Sequence, residues 1–488
     1  MTFDAFKTFD AQELEIQATT CLKPLVPETE LVFGKHFTDH MITVEWSAES
    51  GWNKPHIKPY GKLELEPSSV VFHYGFECFE GMKAYKDTEG HIRLFRPEMN
   101  MDRLNKSSAR LGMPTFDPEE LVKVITEFLR IEDRWIPSKR GYSLYLRPTI
   151  IGTQTALGVR APDTALLFVI ASPVGPYFST GFTAIRLLAT TDYVRSWPHG
   201  TGDCKVGGNY APCVKPQSIA AEKGYQQNLW LFGEDDEVTE AGTMNFFMLW
   251  ENFDTGRKEL ITPALNGLIL PGVTRDSILS LVKSWEAEIG IFVREGKITM
   301  ADILKAVEEK RMIEMFGAGT ACIVSPIKCI NYKGKDIEIP LGKTKNDSEA
   351  GPLTKRINDT ILDIQYGVVK HPFSPSPSEI LRDLKSYQVY NWPNIKMIEL
   401  LSEAFSFISA PITKEIIKKE LRIFWRSRTN NVRTTAVAAM RASQLESTLS
   451  LVLNSDPVLD IIIENLNEQQ EATVLQQEES VEMTKQDC

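Results

Sequence analysis

The chain has 488 residues, 42% hydrophobic and 24% charged, a length and balance that build more than one domain around real cores. The 65 acidic residues outnumber the 54 basic ones, and a net charge of −11 argues against a general nucleic-acid or membrane-surface binder. Seven cysteines, an odd number with no Cys-x-x-Cys pair, argue against a disulfide framework or a zinc site and for reduced thiols in an intracellular compartment.

No apolar run reaches the ~20 residues that a membrane-spanning helix needs. The start, MTFDAFKTFDAQELEIQ, carries several acids and no arginine, unlike a signal or mitochondrial presequence. The expected compartment is the cytoplasm, with the mitochondrion as the alternative. Residues 1–30 are polar and turn-rich and read as a loosely docked arm. Residues 31–175 mix strands and helices and read as a small α/β domain. Within them HIRLFRP (91–97) and SLYLRPTIIG (143–152) have strand patterns. PEMNMDRLNKSSARLG (97–112) reads as a helix, with Pro97 at its start and Gly112 past its end. ALLFVIASPVGPYFSTG (165–181) is an apolar strand expected to break at Pro173, Gly175 and Pro176, so 176–187 is assigned as an interdomain linker.

Residues 188–370 form the expected second, larger domain. A helix over about 208–223 should stop at Gly224, and NLWLFG, a turn at EDDE and TMNFFMLW read as a strand pair. ELITPALNGLILPGVTRDSILSLV (259–282) reads as strand, turn and helix, with Thr274 as the cap. MADILKAVEEKRMIEM (300–315) reads as a further helix, and CIVSPI as a strand. The Pro/Ser-rich HPFSPSPSE (371–379) opens an extension, 371–488, of short amphipathic helical segments with a polar, disordered-type end. Its basic segment KEIIKKELRIFWRSR (414–428) suits either an interaction module or a tail without a catalytic role.

TGDCKVGGNYAP (201–212) sets Lys205 among glycines. A P-loop is excluded, because Val206 follows where that motif needs Ser or Thr. A solvated lysine in a surface turn fits the stretch as well as a nucleophilic one. A nucleophilic amine needs a pKa near ~7–8 rather than the ordinary ~10.4, which takes a partly dry pocket and a nearby cation. Arg103 and Arg195 are the candidates for that cation. A lysine of this kind commonly serves pyridoxal phosphate. That cofactor asks for a carboxylate at its ring nitrogen, amides at a helix start for its phosphate, and a donor beside the lysine. Glu240, the Val273–Thr274 helix start and Tyr210 answer these demands. FGAGTAC (316–322) is not a dinucleotide fingerprint, since it lacks a third glycine and the strand–glycine–helix order. A small-residue loop of this type offers backbone amides to an anion.

FTDHMITVEW (37–46), HYGFECFEGMKAY (73–85), LFRPEMNMDRL (94–104), GDCKVGGNYAP (202–212), TEAGTMNFF (239–247), LPGVTRDSI (270–278) and FGAGTACIVSP (316–326) together resemble the branched-chain amino acid aminotransferases. These belong to the fold-type-IV pyridoxal-phosphate enzymes. The resemblance spans about 31–370. It implies an α/β (α+β) fold: a small α/β domain and a larger pseudo-barrel domain with pyridoxal 5′-phosphate between them, as a homodimer without a metal. It implies Lys205 as the Schiff-base lysine and proton shuttle, Glu240 as the pyridinium partner and Tyr210 as the donor to the ring oxygen. Arg103, Arg195, the Val273 and Thr274 amides and Thr320 are implied as phosphate ligands, and Leu270 as the side chain against the ring. For the substrate it implies the Thr320 and Ala321 amides at the α-carboxylate, Tyr74, Phe79 and Tyr145 as the side-chain pocket, and Arg147 at the distal carboxylate of glutamate. The implied reaction moves an amino group between Leu, Ile or Val and 2-oxoglutarate, giving branched-chain 2-oxo acids and glutamate. D-amino acid transamination and aminodeoxychorismate cleavage are the rival chemistries of the same fold. Animal members carry a Cys-x-x-Cys in the last motif, where this chain has Cys322 and Ser325.

Overall fold

A computed structural model describes residues 8–176, 182–341 and 349–374, all within the unit Met1–Tyr387. The extension beyond 374, including the basic segment 414–428, lies outside the described residues.

The first sheet is built from β1 (Glu15–Ile16), β2 (His40–Ser47), β3 (Gly51–Trp52), β4 (His56–Pro59), β5 (Glu77–Phe79), β6 (Met82–Lys86), β7 (Ile92–Leu94), β8 (Ser143–Gly152) and β9 (Thr164–Val174). Its order is β1-β4-β2-β9-β8-β6-β7, with β3 on β2 and β5 on β8. Three helices accompany it: α1 (Val70–Tyr74), α2 (Pro97–Arg110) and α3 (Pro118–Ile131). The helix expected over 97–112 is α2, and the strand expected over 143–152 is β8. Leu121, Val124, Ile125 and Phe128 pack α3 into the same core as Val44, Ile150 and Leu167.

Two expectations change here. The N-terminal segment is tied into this sheet rather than loosely docked. Phe9 is buried, its ring stacked on Phe116 (centroids 5.6 Å apart) and edge-on to Trp52, and β1 pairs with β4. Pro173 does not break its strand either, but pairs with Leu144 inside β9. Pairing of β9 with β2 ends at Val169, so the proline's missing N–H falls where β9 is an edge.

The second sheet comprises β10 (Ile185–Thr190), β11 (Gln227–Phe232), β12 (Glu237–Ala241), β13 (Met244–Glu251), β14 (Lys258–Pro263), β15 (Ile291–Gly296), β16 (Met312–Gly319), β17 (Ile323–Tyr332) and β18 (Lys335–Glu338). A pairing of β12 with β13 closes the ring β12-β11-β10-β17-β16-β13, while β14 and β15 extend it. α4 (Val214–Glu222), α5 (Val273–Ile289), α6 (Met300–Glu308) and α7 (Pro352–Gln365) complete the unit. Alternation along β13 explains its unbroken apolar sequence: Phe246, Met248 and Trp250 enter one core, and Phe247 and Leu249 enter another formed with α5 and α7. That second core also takes Tyr85 and Phe95 from the first sheet's side, so the two sheets share buried surface.

The last three residues of the linker expected over 176–187 are the start of β10. The helix expected over 208–223 starts late, because short 3₁₀ turns at 207–209 and 211–213 precede α4 around Pro212. The helix expected over 300–315 ends at Glu308, and Met312–Met315 begin β16. Lys310, at φ 59°, turns the chain between them. FGAG is therefore the end of a strand, and Thr320–Cys322 form a turn into β17.

Candidate active site

A cleft of about 370 Å³ lies between the two sheets, with Lys205 in its wall. The lysine is set by its backbone: its N–H donates to Ser107 Oγ of α2 (2.8 Å), and its carbonyl accepts from Phe79 N of β5 (3.0 Å). Its Nζ donates to Tyr210 Oη at 2.9 Å. Tyr210 stands between the two 3₁₀ turns, ahead of α4, rather than in a helix's first turn. Burial, then the Arg103 guanidinium, pull the Lys205 amine down to about 8, while Glu80 and Tyr145 resist and Arg147 assists. Burial pushes the Tyr210 phenol up to about 12, so it keeps its proton and is a donor at neutral pH. The solvated-turn reading of Lys205 is thereby set aside.

Of the two cations expected to act on Lys205, Arg103 does so and Arg195 is placed elsewhere. Arg195 Nε lies 2.7 Å from Glu240 Oε2, and its Nη1 donates to the carbonyls of Gly202 and Leu268. It stands behind Glu240 and does not line the cleft. Glu240 projects from β12 itself and is buried. Burial raises its carboxyl above the usual range, and Arg195 and the Leu270 amide pull against that rise. The Leu270 N–H donates to Glu240 Oε1 (2.9 Å), and Asn245 Nδ2 donates to the Leu270 carbonyl (2.9 Å).

The far wall is the head of α5. Its cap is Gly272 rather than Thr274, and among the described residues the first turn has no side-chain cap bond. The amides of Val273 and Thr274 thus start a 17-residue helix whose positive end faces the cleft. Arg103 lines the cleft beside them, with Nη1 donating to the Pro271 carbonyl at 2.9 Å. The Thr320–Ala321 turn lines the same wall.

The remaining wall is aromatic. Residues 145 and 147 alternate with buried Leu146 along β8, so Tyr145 and Arg147 share the cleft face. Arg147 Nη2 donates to Tyr145 Oη at 3.1 Å, and its guanidinium lies 4.7 Å from the Phe79 ring centre. Its Nε is buried with no hydrogen-bond partner among the described residues. Phe33, not anticipated in the sequence, meets the Tyr145 ring at 4.9 Å. The expectation for Tyr74 changes: it ends α1, is 41% exposed, does not line this cleft, and its hydroxyl bonds the Leu157 carbonyl. Glu80, Asn245, Thr243 and Gln227 were also missed. The FECFEGM stretch contains Glu80, but nothing local marks one of its acids as the buried one. Cys322 Sγ lies 3.3 Å from Met244 Sδ, and Ser325, in place of a second cysteine, is buried in β17.

A buried carboxylate, a lysine with a depressed pKa and a helix start without a side-chain cap, all lining one cleft, form a set suited to a phosphorylated pyridine aldehyde. The family model for class IV aminotransferases matches residues 77–330. The mitochondrial branched-chain-amino-acid aminotransferase of Schizosaccharomyces pombe is 53% identical over 369 residues, covering 76% of this chain and 85% of its own. The cytosolic enzyme of Saccharomyces cerevisiae is 52% identical over 362 residues (74% of this chain, 96% of its own). The chain belongs to the branched-chain amino acid aminotransferases. It is a pyridoxal-phosphate-type transferase of class IV, and its two-sheet fold is that of solved aminotransferases. The branched-chain aminotransferase of Thermobaculum terrenum in its PLP form matches with a TM-score of 0.55 at 21% identity, covering 70% of this chain and 98% of that one. The Escherichia coli branched-chain aminotransferase matches with a TM-score of 0.54 at 23% identity (68% and 99%). The curated relatives include cytosolic and mitochondrial forms, and among the described residues no helix is long and apolar enough to cross a membrane.

Proposed function

We propose that this aminotransferase holds pyridoxal 5′-phosphate in the cleft and exchanges amino groups between Leu, Ile or Val and 2-oxoglutarate. The observation that carries the substrate choice is the buried, unpartnered Arg147 Nε in an otherwise aromatic pocket beside Lys205. An apolar wall selects an aliphatic side chain by contact, worth ~1–3 kcal/mol per methylene. The same wall with one underused guanidinium accepts a substrate whose side chain ends in a carboxylate, through a charge-assisted bond.

The parts divide as follows. The Val273 and Thr274 amides, Thr320 and Arg103 hold the phosphate, with Arg195 paired to Glu240 and opposing the effect of its burial. Glu240 meets the ring nitrogen, Tyr210 donates to the ring oxygen, and Leu270 packs on the ring. When bound, the cofactor supplies an electron sink for the pair released at the substrate α-carbon. Lys205 Nζ is its attachment point and carries the α-proton, which an amine titrating at about 8 can do near neutral pH. The Thr320 and Ala321 amides hold the α-carboxylate, and Phe79 and Tyr145 flank the side chain. A homodimer belongs to this reading. Phe72, Tyr74, Leu157 and Val159 are exposed apolar side chains on two adjoining segments, outside their own chain's cleft, where a second copy would bury them. The free thiols among the described residues suit a cytoplasmic protein.

The test is the visible spectrum of the protein loaded with pyridoxal phosphate. L-leucine should abolish the band and 2-oxoglutarate should restore it. A band that ignores leucine but answers D-alanine or aminodeoxychorismate would assign the cleft to one of the rival chemistries.

A further inference from the structure

Glu80, between β5 and β6, is 0% exposed, and none of the roles above uses it. Its two oxygens take the Arg103 fork: Nε to Oε1 at 2.7 Å and Nη2 to Oε2 at 2.9 Å. Asn100 Nδ2 (2.9 Å) and the Gly81 amide (3.1 Å) also donate to Oε2, which fixes the carboxylate in turn. These bonds close a circuit through the lysine. Phe79, the neighbour of Glu80, donates to the Lys205 carbonyl; Lys205 N–H donates to Ser107 Oγ; and Ser107 Oγ donates to the Arg103 carbonyl at 2.9 Å. Arg103 has five N–H groups. Glu80 and Pro271 take three, which leaves one on each terminal nitrogen for the cleft.

We infer that Glu80 is a positioning residue, whose carboxylate aims the free N–H groups of Arg103 beside the head of α5 and sets a fixed negative charge against the cations around Lys205. This rests on the reading of Lys205 and Arg103 as cofactor residues. The charged or titratable groups facing Lys205 are Arg103, Arg147, Tyr145, Tyr210, Glu77, Glu240 and Glu80 itself. Burial pushes the Glu80 carboxyl up, but Arg103, with Lys205 and Asn100, together hold it below the usual range, so it is ionised near neutral pH. The partners on the two sides of this pair differ in what they supply: charge reaches Lys205 through space, whereas aim requires both oxygens at the reach of a glutamate.

Two variants of the full chain separate charge from aim. The readouts on apoprotein are the pH midpoint for modification of Lys205 by a lysine-selective reagent, located by mass spectrometry, and the Kd for pyridoxal phosphate. Glu80→Gln should lower the midpoint by about one pH unit, because Arg103 then stands unopposed. Glu80→Asp keeps the charge on a shorter arm; its midpoint should stay at the wild-type value while Kd rises about tenfold as the two-point grip is lost. If Glu80→Gln does not fold, Glu80→Asp decides the question through Kd. A Glu80→Gln midpoint equal to wild type, or wild-type affinity in Glu80→Asp, would overturn the inference. A wild-type protein that fails to take up pyridoxal phosphate would overturn both this inference and the reading beneath it.

Discussion

Lys205→Ala should lower kcat by about 10⁴-fold or more, because the proton at the substrate α-carbon loses its carrier. The loss should be chemical, not structural. The backbone bonds to Ser107 Oγ and Phe79 N belong to the main chain and survive truncation. Stability should hold or rise at pH 7. The folded-state pKa of about 8 lies below the ordinary lysine value, so the unfolded chain binds this proton more tightly. The native state therefore carries a penalty that is full below about pH 8 and fades as pH rises toward the ordinary value. Alanine removes that penalty. Lys205→Arg should not rescue turnover, since a guanidinium stays protonated throughout. The measurements are kcat with leucine and the thermal midpoint at pH 7 for both variants. A large drop in thermal midpoint would make the lysine structural, and substantial turnover by either variant would remove it from the chemistry.

Arg147→Met should split the two half-reactions. The glutamate and 2-oxoglutarate side should lose about 2–4 kcal/mol of transition-state binding, roughly 30- to 1000-fold in kcat/KM. The leucine side should change by no more than about threefold, because methionine restores apolar volume beside Phe79. Arg147 suits this role by its position: a bond to Tyr145 Oη, its guanidinium carbon over the Phe79 ring, and its Nε without a partner among the described residues. Half-reactions followed separately in the visible absorption give each kcat/KM without the other substrate present. Equal losses on both sides would make Arg147 a structural support of Tyr145 instead of the group that distinguishes the two substrates.

Much of this site was legible in one dimension. The demand for an amine, a carboxylate, a helix start and a phenol is chemical, and Lys205, Glu240, the 273–274 helix start and Tyr210 are each short-range features. Their convergence on one cleft agrees with that reasoning. The partners that decide how these groups behave were not legible. Arg195 was expected beside the phosphate, but it sits against Glu240, 45 residues away in sequence and 2.7 Å away in space. Tyr74 shares a motif with Phe79, but α1 ends between them and leaves it outside the cleft.

What the sequence by itself determined was the local order: α2 and β8 at their expected places, the apolar strands of the second sheet, and the positions of the reactive groups. These follow from periodicity, proline and glycine placement and side-chain chemistry, all of which act over a few residues. What only the tertiary structure decided was pairing at long range. It gave Glu80 to Arg103, Ser107 to Lys205 N, and Phe9 to the core of the first sheet. It kept Pro173 in a strand because the pairing of β9 with its neighbour β2 stops at Val169, before the proline. A buried charge takes whichever partner the folded chain brings near, and residues 98 positions apart, such as Ser107 and Lys205, carry no local mark of the bond between them.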